Sequence, residues 1–326
     1  MTLRLRLLDL LSDGNFRSGQ WLGSQLGVSR AAVWKHVRAL AELGLDVQAV
    51  HGKGYRLAHP LAPLRRDAII RALSPAALAR VDSLEVLQEI DSTSDFLKRS
   101  AVPCRSDVSR ICAAEHQTAG RGRRGRQWVS PYGSSLYLSF TRQVDGAGLH
   151  NGGLSLVVAL AVLRALRQLG VDKLEIKWPN DILYQGRKLA GILLDISGES
   201  AGPYAVVIGV GINVSLPASA ASEIDRPWAD LTQCGMSADR NELAANIFEA
   251  SMLVLDQFMH EGLEPFAAEW RRYDAIAGRQ VELQLDHDNS VRGLARGIDG
   301  QGALLLDRGG ALRSFHAGEV SVRVKE

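Results

Sequence analysis

Cysteine is scarce in this chain, with Cys104, Cys112 and Cys234 spread over 326 residues. Their wide spacing excludes a disulfide-stapled scaffold and a cysteine-ligated zinc site. Structural disulfides accumulate in oxidising compartments, so this low cysteine content indicates a protein of a reduced compartment. The eight histidines are also dispersed along the sequence, and we predict no metal ligands.

Long hydrophobic runs are missing as well. The longest apolar stretch, residues 154–163, is too short to span a bilayer. Residues 2–11 are apolar at helical spacing, but Arg4, Arg6 and Asp9 interrupt them and rule out a signal-peptide core. We therefore expect a cytoplasmic protein with no membrane partner.

The common nucleotide-binding signatures are absent. No G-x-x-x-x-G-K-[ST] string occurs, which excludes P-loop ATPase chemistry, and no kinase catalytic loop is present. The formal net charge of +2 gives no general affinity for polyanions. Residues 1–60, however, hold eight Lys or Arg against four Asp or Glu. This local positive excess indicates an anionic partner for the N-terminal segment.

The first 58 residues have the pattern of a winged helix-turn-helix. After a helix over residues 3–11, Ser18 and Ser29 are placed to cap a second and a third helix, with Gly27 in the turn between them. Residues 29–43 form the predicted recognition helix, and a turn at residues 51–54 forms the predicted wing. A three-helix domain without a nucleic-acid role is the alternative. The predicted DNA-binding residues are Ser29, Arg30, Lys35, Arg38 and Lys53.

The rest of the chain divides into two patterns. Pro60 and Pro63 mark a linker, after which helical and strand patterns alternate as in an α/β domain. Beyond Gly278, short alternating strands separated by turn residues predict a small β-barrel. The expected domains cover residues 1–62, 65–274 and 275–326.

Four arginines and three glycines fill residues 120–126, which we call the arginine loop. Arginine stays charged and its planar fork suits carboxylate and phosphate oxygens, while glycine lets backbone amides approach a ligand. This composition predicts a loop that binds an anion. Gly120, Gly122 and Gly125 match the dinucleotide fingerprint, but breakers and a strand follow instead of a helix, so we reject a Rossmann site. A solvated basic loop or a nucleic-acid patch is the remaining alternative.

Further segments place polar groups beside glycine or proline at the ends of predicted strands. Each has a plainer interpretation. Lys188 could be a solvated cation at a strand start, and Asn180 with Asp181 could cap a turn. Gly209 and Gly211 could mark a bulge. The segments are residues 177–181, 187–193 and 209–213.

Together with the arginine loop, the Asp-Ser-Thr string at residues 91–93 and Trp128, these segments resemble the motifs of biotin protein ligases in order and spacing. The winged helix and the C-terminal barrel extend the likeness to the bifunctional kind, biotin–[acetyl-CoA-carboxylase] ligases that also repress biotin operons. Ser94 departs from the family, which often has Asn there. The resemblance implies an α/β (α+β) multidomain protein with a central mixed sheet like class II aminoacyl-tRNA synthetases and a C-terminal SH3-like barrel.

The resemblance also implies a reaction in two halves. The carboxylate of biotin attacks the α-phosphate of ATP in the presence of Mg²⁺, giving biotinyl-5′-AMP and pyrophosphate. A lysine of the biotin carboxyl carrier protein, a subunit of acetyl-CoA carboxylase, then takes the biotinyl group and AMP leaves. The other implied partners are biotin operator DNA and a second copy of the chain, because the adenylate is expected to act as corepressor by promoting a homodimer.

Residue roles follow from the same resemblance. The implied catalytic cations neutralise two anions and hold them in line, while Asp181 accepts or steers the proton of the incoming lysine. The implied catalytic residues are Arg121, Arg123, Lys188 and Asp181. The implied biotin-binding residues are Ser92, Thr93, Gln117, Gly120, Arg121, Arg123, Trp128, Lys188 and Gly209. The implied nucleotide-binding residues are Asn180, Gly211, Asn213, Trp228 and Arg323.

Two other functions compete with this interpretation. A transcription regulator could sense biotin or another small acid without activating it, and release of pyrophosphate would separate it from an enzyme. A related ligase could use lipoate or octanoate, and competition by free lipoate would identify it.

Overall fold

The protein is described by a computed structural model that covers residues 2–100, 107–144, 153–198, 204–217, 220, 222–285, 289–317 and 320–324. Cys104 lies outside these residues, while Cys112 and Cys234 are both free thiols. Within the part of the chain that is described, no helix has both the length and the apolarity that a bilayer crossing requires.

Three helices and a hairpin form the N-terminal unit, as the sequence predicts. The elements are α1 (Leu3–Leu11), α2 (Gly19–Leu26), α3 (Arg30–Glu42), β1 (Val47–Val50) and β2 (Gly54–Leu57). Ser18 Oγ caps α2 by accepting from the Trp21 N–H at 3.1 Å, and Ser29 Oγ caps α3 through the Ala32 N–H at 3.2 Å. Gly27 ends α2 in the left-handed conformation, with φ of 70°. These three local features set the sharp angle between α2 and α3.

The N-terminal unit has its own small core. Val33, Val37 and Leu40 of α3 are buried in the same cluster as Leu7 and Leu11 of α1. Burying each such side chain contributes about 1.5–3 kcal/mol. The inward stripe that the sequence predicts for α3 is therefore what holds this helix on α1 and leaves its other faces in solvent.

A mixed sheet forms the centre of the molecule. Its strands are β3 (Val81–Leu87), β4 (Ser109–Ala114), β5 (Ser135–Val144), β6 (Leu174–Lys177), β7 (Asp181–Tyr184), β8 (Arg187–Ser197) and β9 (Tyr204–Asn213). Their order across the sheet is β3-β4-β5-β9-β8-β7-β6. Strands β3 and β4 run parallel, and the other neighbours run antiparallel.

Helices lie on both faces of this sheet. They are α4 (Arg66–Ala72), α5 (Pro75–Leu78), α6 (Thr93–Arg99), α7 (Leu154–Gln168), α8 (Arg240–Glu261) and α9 (Ala267–Tyr273). Phe140 of β5 packs edge-on against Phe248 of α8, with ring centroids 5.6 Å apart. Ser139, the preceding residue of β5, contacts Thr93 and Ser94 of α6 instead. Because side chains alternate along a strand, α8 and α6 cover opposite faces.

The C-terminal segment is an antiparallel sheet that packs on the central one. Its strands are β10 (Gln280–Gln284), β11 (Ser290–Ile298), β12 (Leu304–Arg308), β13 (Ala311–Phe315) and β14 (Ser321–Val324), in the order β13-β12-β11-β10-β14. The five strands agree with the sequence prediction. The buried Trp178, next to β6, donates from Nε1 to the Gly302 carbonyl at 3.0 Å and joins the two sheets.

A buried ion pair fixes the segment that connects the N-terminal unit to the central sheet. Glu115 follows β4 and Arg240 begins α8, and their charged groups lie 2.7 Å apart with both side chains almost inaccessible to solvent. Glu115 Oε1 accepts the Leu64 N–H at 2.6 Å, and Arg240 Nη2 donates to the Ala62 carbonyl at 2.8 Å. The linker backbone is therefore hydrogen-bonded to both members of the pair.

We predict that Glu115→Gln destabilises the central domain by about 3–5 kcal/mol, because it leaves the Arg240 charge buried without its counter-ion. Urea unfolding followed by circular dichroism measures the change. Asp67→Asn is the control, since the Asp67–Arg71 pair is exposed and such pairs contribute about 0–1 kcal/mol. Equal stability of the two variants would contradict a structural role for the buried pair.

Candidate functional site

A cavity of about 340 Å³ lies between α6, the arginine loop, the adjoining ends of β7 to β9, and β14. It gathers residues from segments that are distant in sequence. The predicted site residues that line it are Ser92, Thr93, Gln117, Arg121, Arg123, Trp128, Asn180, Asp181, Lys188, Gly209, Gly211, Asn213, Trp228 and Arg323. Gly120 lines a second depression on the other side of the arginine loop.

One end of the cavity is built from neutral hydrogen-bonding groups. Thr93 donates from N–H and Oγ1 to Gln117 Oε1 at 3.0 and 3.2 Å, and its Oγ1 lies 2.7 Å from Ser139 Oγ. Ser94 Oγ lies 3.0 Å from the same Ser139 hydroxyl. Ser92 is the N-cap of α6. This end is suited to an uncharged polar group with donors and acceptors side by side.

The middle of the cavity is floored by a pair of glycines. Gly191 of β8 and Gly211 of β9 are cross-strand partners, and the Trp128 ring lies on them. A Cβ atom added to Gly211 would meet the indole at 2.7 Å, and one added to Gly191 would meet it at 3.0 Å. A Cβ on Gly209 would meet Ser94 Oγ at 2.7 Å. Glycine is required here for close approach rather than for a bulge.

Lys188 lies beside this floor at the start of β8. Its Nζ is 2.6 Å from Asp181 Oδ1 and 5.1 Å from the centroid of the Trp128 ring, within cation–π distance. The Lys188 backbone accepts from the Ala229 N–H at 2.9 Å and donates to the Pro227 carbonyl at 3.0 Å. That backbone pairing positions Trp228 on the wall of the cavity. Lys188 is therefore a half-buried ion-paired cation and not a solvated strand start.

The side-chain amides of Asn180 and Asn213, the two asparagines predicted to bind the nucleotide, donate hydrogen bonds to backbone carbonyls. Asn180 Nδ2 donates to the Ile192 carbonyl at 2.5 Å, and Asn213 Nδ2 donates to the Ala229 carbonyl at 3.0 Å. Both side chains are buried. They hold the segments that carry Asp181 and Trp228 in place, which is a positioning role.

The arginine loop connects the cavity to the C-terminal sheet. Arg123 donates to Asn180 Oδ1 at 3.4 Å and to the carbonyls of Ala317 and Val320. Arg124, at φ of 58°, donates to the Gln284 carbonyl at 3.0 Å. A single turn of 3₁₀ helix at Arg123–Gly125 is followed by β5 and not by a helix, which supports the rejection of a Rossmann site.

Burial weakens the charged state of several cations in and around the cavity. It lowers the pKa of the Lys177 ammonium and of the Arg123 and Arg126 guanidinium groups from their ordinary values. Nearby positive groups, such as Arg226 beside Arg126, lower the pKa further. A bound anion would relieve this cost, so the electrostatics favour a negatively charged ligand.

Sequence reasoning did not single out several residues that the fold brings to the site. Ser139 is a mid-strand serine, Asp95 looks like an ordinary first-turn helix acid, and Asp195 looks like an outward strand residue. Arg226 lines the cavity from the segment that precedes Trp228. None of these residues has a local sequence signal, since they come from β5, α6, β8 and the segment before Trp228, and only tertiary packing brings them together.

The predicted DNA-binding surface is exposed on the N-terminal unit. Arg30, Lys35 and Arg38 are on the outer side of α3, and Lys53 is at the tip of the wing. Ser29 Oγ accepts the Ala32 N–H as the cap of α3 and keeps its own O–H as a donor.

Three known families match successive parts of the chain. The family described as HTH domain matches residues 4–56, and the Biotin/lipoate A/B protein ligase family matches residues 86–213. The Biotin protein ligase C terminal domain matches residues 276–323.

Two relatives that match the chain over almost its whole length are named as bifunctional ligase/repressors. The chain is 41% identical to the bifunctional ligase/repressor BirA of Salmonella typhimurium over 325 residues, which cover 100% of this chain and 99% of that protein. It is 31% identical to BirA of Bacillus subtilis, covering 98% and 99%. The structure of biotin protein ligase from Aquifex aeolicus in complex with biotin and ATP matches with a TM-score of 0.63 and 27% identity, over 75% of this chain and 100% of that one.

Fold and site together define a ligase of the biotin/lipoate type that carries a helix-turn-helix domain. The chain belongs to the biotin protein ligase family, and it is similar over its whole length to that family's bifunctional ligase/repressors.

Proposed function

We propose that this protein is an ATP-dependent biotin protein ligase and a DNA-binding repressor of biotin synthesis. As a ligase it activates biotin to biotinyl-5′-AMP and transfers the biotinyl group to one lysine of the biotin carboxyl carrier protein. The observation that carries the proposal is the cavity that joins a neutral polar end to a cation-rich end across the glycine floor. Biotin has the matching shape, with a ureido ring at one end and a carboxylate at the other.

We assign the neutral end to the ureido ring. Thr93, Gln117 and Ser92 supply its hydrogen-bond partners, while Trp128 packs along the apolar part of the ligand. Gly209 and Gly120 act by their lack of a side chain. A Cβ atom added to Gly209 would lie 2.7 Å from Ser94 Oγ, and one added to Gly120 would lie 2.5 Å from Ser130 Oγ, so either would clash.

We assign the cationic end to the reacting groups. The biotin carboxylate and the α-phosphate of ATP repel one another, and Lys188 with Arg123 neutralises that charge and aligns the reactants. Phosphoryl-type transfers need positioning and charge stabilisation rather than a protein nucleophile. Arg121 belongs to the same catalytic set through the arginine loop.

The nucleotide occupies the wall formed by β9, β14 and the segment before Trp228. Gly211 belongs to this wall and lets the Trp128 ring lie close to β9 beside the nucleotide, Trp228 stacks against the nucleotide, and Arg323 approaches from β14. Asn180 and Asn213 hold these segments in place. Mg²⁺ accompanies the triphosphate in this proposal, where it would help to neutralise the phosphate charge.

Transfer to the carrier uses Asp181. Its carboxylate lies 2.6 Å from Nζ of Lys188, which we assign to the reacting groups, so the ion pair holds Asp181 beside them. It accepts or steers the proton of the incoming lysine amine as the new amide bond forms and AMP leaves.

The repressor activity needs a homodimer, with biotinyl-5′-AMP as corepressor. One edge of β8 supports this part of the proposal, because residues 193–197 pair with β9 on one side and with no described strand on the other. A free strand edge is a ready site for pairing with a second chain.

We further propose domain boundaries at residues 1–62, 65–274 and 275–326, a central fold like class II aminoacyl-tRNA synthetases, an SH3-like C-terminal barrel, and a cytoplasmic location.

The decisive experiment is pyrophosphate release with biotin, Mg²⁺ and ATP, followed by intact mass measurement of a biotin carboxyl carrier domain. We expect biotin-dependent pyrophosphate and a single biotinyl addition on the carrier. Excess free lipoate is the control, and it should not compete. Biotin binding without pyrophosphate would indicate a ligand sensor, and acylation of the carrier by lipoate would indicate a lipoate ligase.

We predict that Arg123→Gly releases the adenylate prematurely. The substitution removes the contacts of the loop with Ala317, Val320 and Asn180, and so opens the cavity on the side of the C-terminal sheet. Biotinylation of a bystander protein such as serum albumin should rise by about tenfold or more. Arg308→Gly removes an exposed arginine of the same sheet and should leave this labelling unchanged. Equal labelling by Arg123→Gly and the unmodified chain would refute a retaining role.

We predict that operator binding depends on biotin plus ATP and on the basic residues of α3 and the wing. Lys53→Ala should lower affinity and reduce the slope of log K against log salt by about one, because one phosphate contact is lost. Fluorescence anisotropy with DNA from upstream of a biotin synthesis operon measures both effects. Arg313→Ala, an exposed arginine of β13, is the control. Affinity that does not respond to biotin plus ATP would eliminate the corepressor mechanism.

A further inference from the structure

Arg121 differs from the other arginines of the loop in what its side chain contacts. Its Nη1 donates to Asp95 Oδ1, and its Nη2 donates to Asp195 Oδ1 at 3.0 Å. The ammonium of Lys98 lies 3.4 and 3.6 Å from the same two oxygens. Two cations and two carboxylates thus alternate in one cluster, and their formal charges cancel.

The cluster joins three walls of the cavity. Asp95 lies in the first turn of α6, which begins with Thr93 at the neutral end of the cavity. Asp195 lies on β8, the strand that carries Lys188 near its start. Arg121 is at the base of the arginine loop. The three residues come from segments 26 and 74 positions apart, so the bridge is a tertiary contact and not a local one.

The backbone at the base of the loop depends on where Arg121 is held. Gly122 N–H donates to the Arg126 carbonyl at 2.7 Å, and Trp128 N–H donates to the Gly120 carbonyl at 2.9 Å. These two bonds close the loop into a narrow hairpin. Anchoring Arg121 to α6 and β8 therefore sets the position of the whole hairpin relative to the glycine floor.

We propose that Asp95 and Asp195 are positioning residues, which clamp Arg121 and thereby hold the arginine loop over the carboxyl end of the bound acid. This inference rests on the proposed ligase function for the identity of that acid. It also revises the role of Arg121 itself. Because both of its Nη groups are engaged by carboxylates, Arg121 contributes the location of the loop.

The first test measures loop order in the ligand-free protein and needs no activity. Asp195→Asn keeps the shape of the side chain and removes its charge. Hydrogen exchange at the Gly122 and Trp128 amides should become faster by about tenfold, because the hairpin opens more often. Asp82→Asn is the matched control, since Asp82 pairs with Arg110 between two strands away from the cavity, at 3.2 Å. Unchanged exchange in Asp195→Asn would overturn the proposal.

The second test separates positioning from general destabilisation. Asp95→Asn and Asp195→Asn should each raise the KM for biotin by about tenfold while the melting temperature stays that of the unmodified chain. Asp195→Glu keeps the charge and should restore most of the affinity. A KM that does not change, or one that Asp82→Asn raises equally, would overturn the proposal. If the unmodified chain releases no pyrophosphate with biotin, the ligase function fails instead, and the exchange measurement still decides whether the clamp exists.

Discussion

The cross-strand pairing of Gly191 with Gly211 is the constraint on which the rest of the site depends. It creates a stretch of sheet without side chains, on which the Trp128 ring lies, and it leaves room for Lys188 at the same edge. A register slip of one residue between β8 and β9 would replace this floor with alternating side chains from the other face. The long antiparallel ladder of β8 and β9 prevents that slip, so the sheet core and the cavity are specified by the same pairing.

Around the floor, the protein arranges its cations in two ways. Lys188 and Arg121 are each paired with carboxylates, which fix their positions before a ligand arrives. Arg123, Arg126 and Lys177 are instead partly desolvated, and burial lowers their pKa. A ligand with two anionic groups would find the first set preorganised and would relieve the electrostatic cost of the second. This division explains how one cavity can bring together a carboxylate and a phosphate that repel each other in water.

The loop that carries this chemistry is also connected to the rest of the molecule at both ends. Glu115, just before it, is part of the buried ion pair that binds the linker, and the Gly133 N–H just after it donates to the Glu115 carbonyl at 2.9 Å. Arg123 and Arg124 attach its tip to the C-terminal sheet. The loop is therefore hydrogen-bonded to the C-terminal sheet, and the residues on either side of it are tied to the ion pair that binds the linker.

Short-range features could be predicted from the sequence because they depend on neighbouring residues: the caps Ser18 and Ser29, the wing, the C-terminal strands and the anion-binding composition of the arginine loop. The resemblance of ordered motifs added the residues that line the cavity, since each motif keeps its own spacing. The use of Asn180 and Asn213 as internal ties, and of Asp95 and Asp195 as partners of Arg121, could not be predicted. Thus the sequence alone determined which charges and glycines were available, whereas the tertiary structure decided which charges were compensated and which remained for a ligand. The physical reason is that ion pairing depends on distances of a few ångströms between groups that are distant in the sequence, such as Arg121 and Asp195, 74 residues apart, and only the packed fold sets those distances.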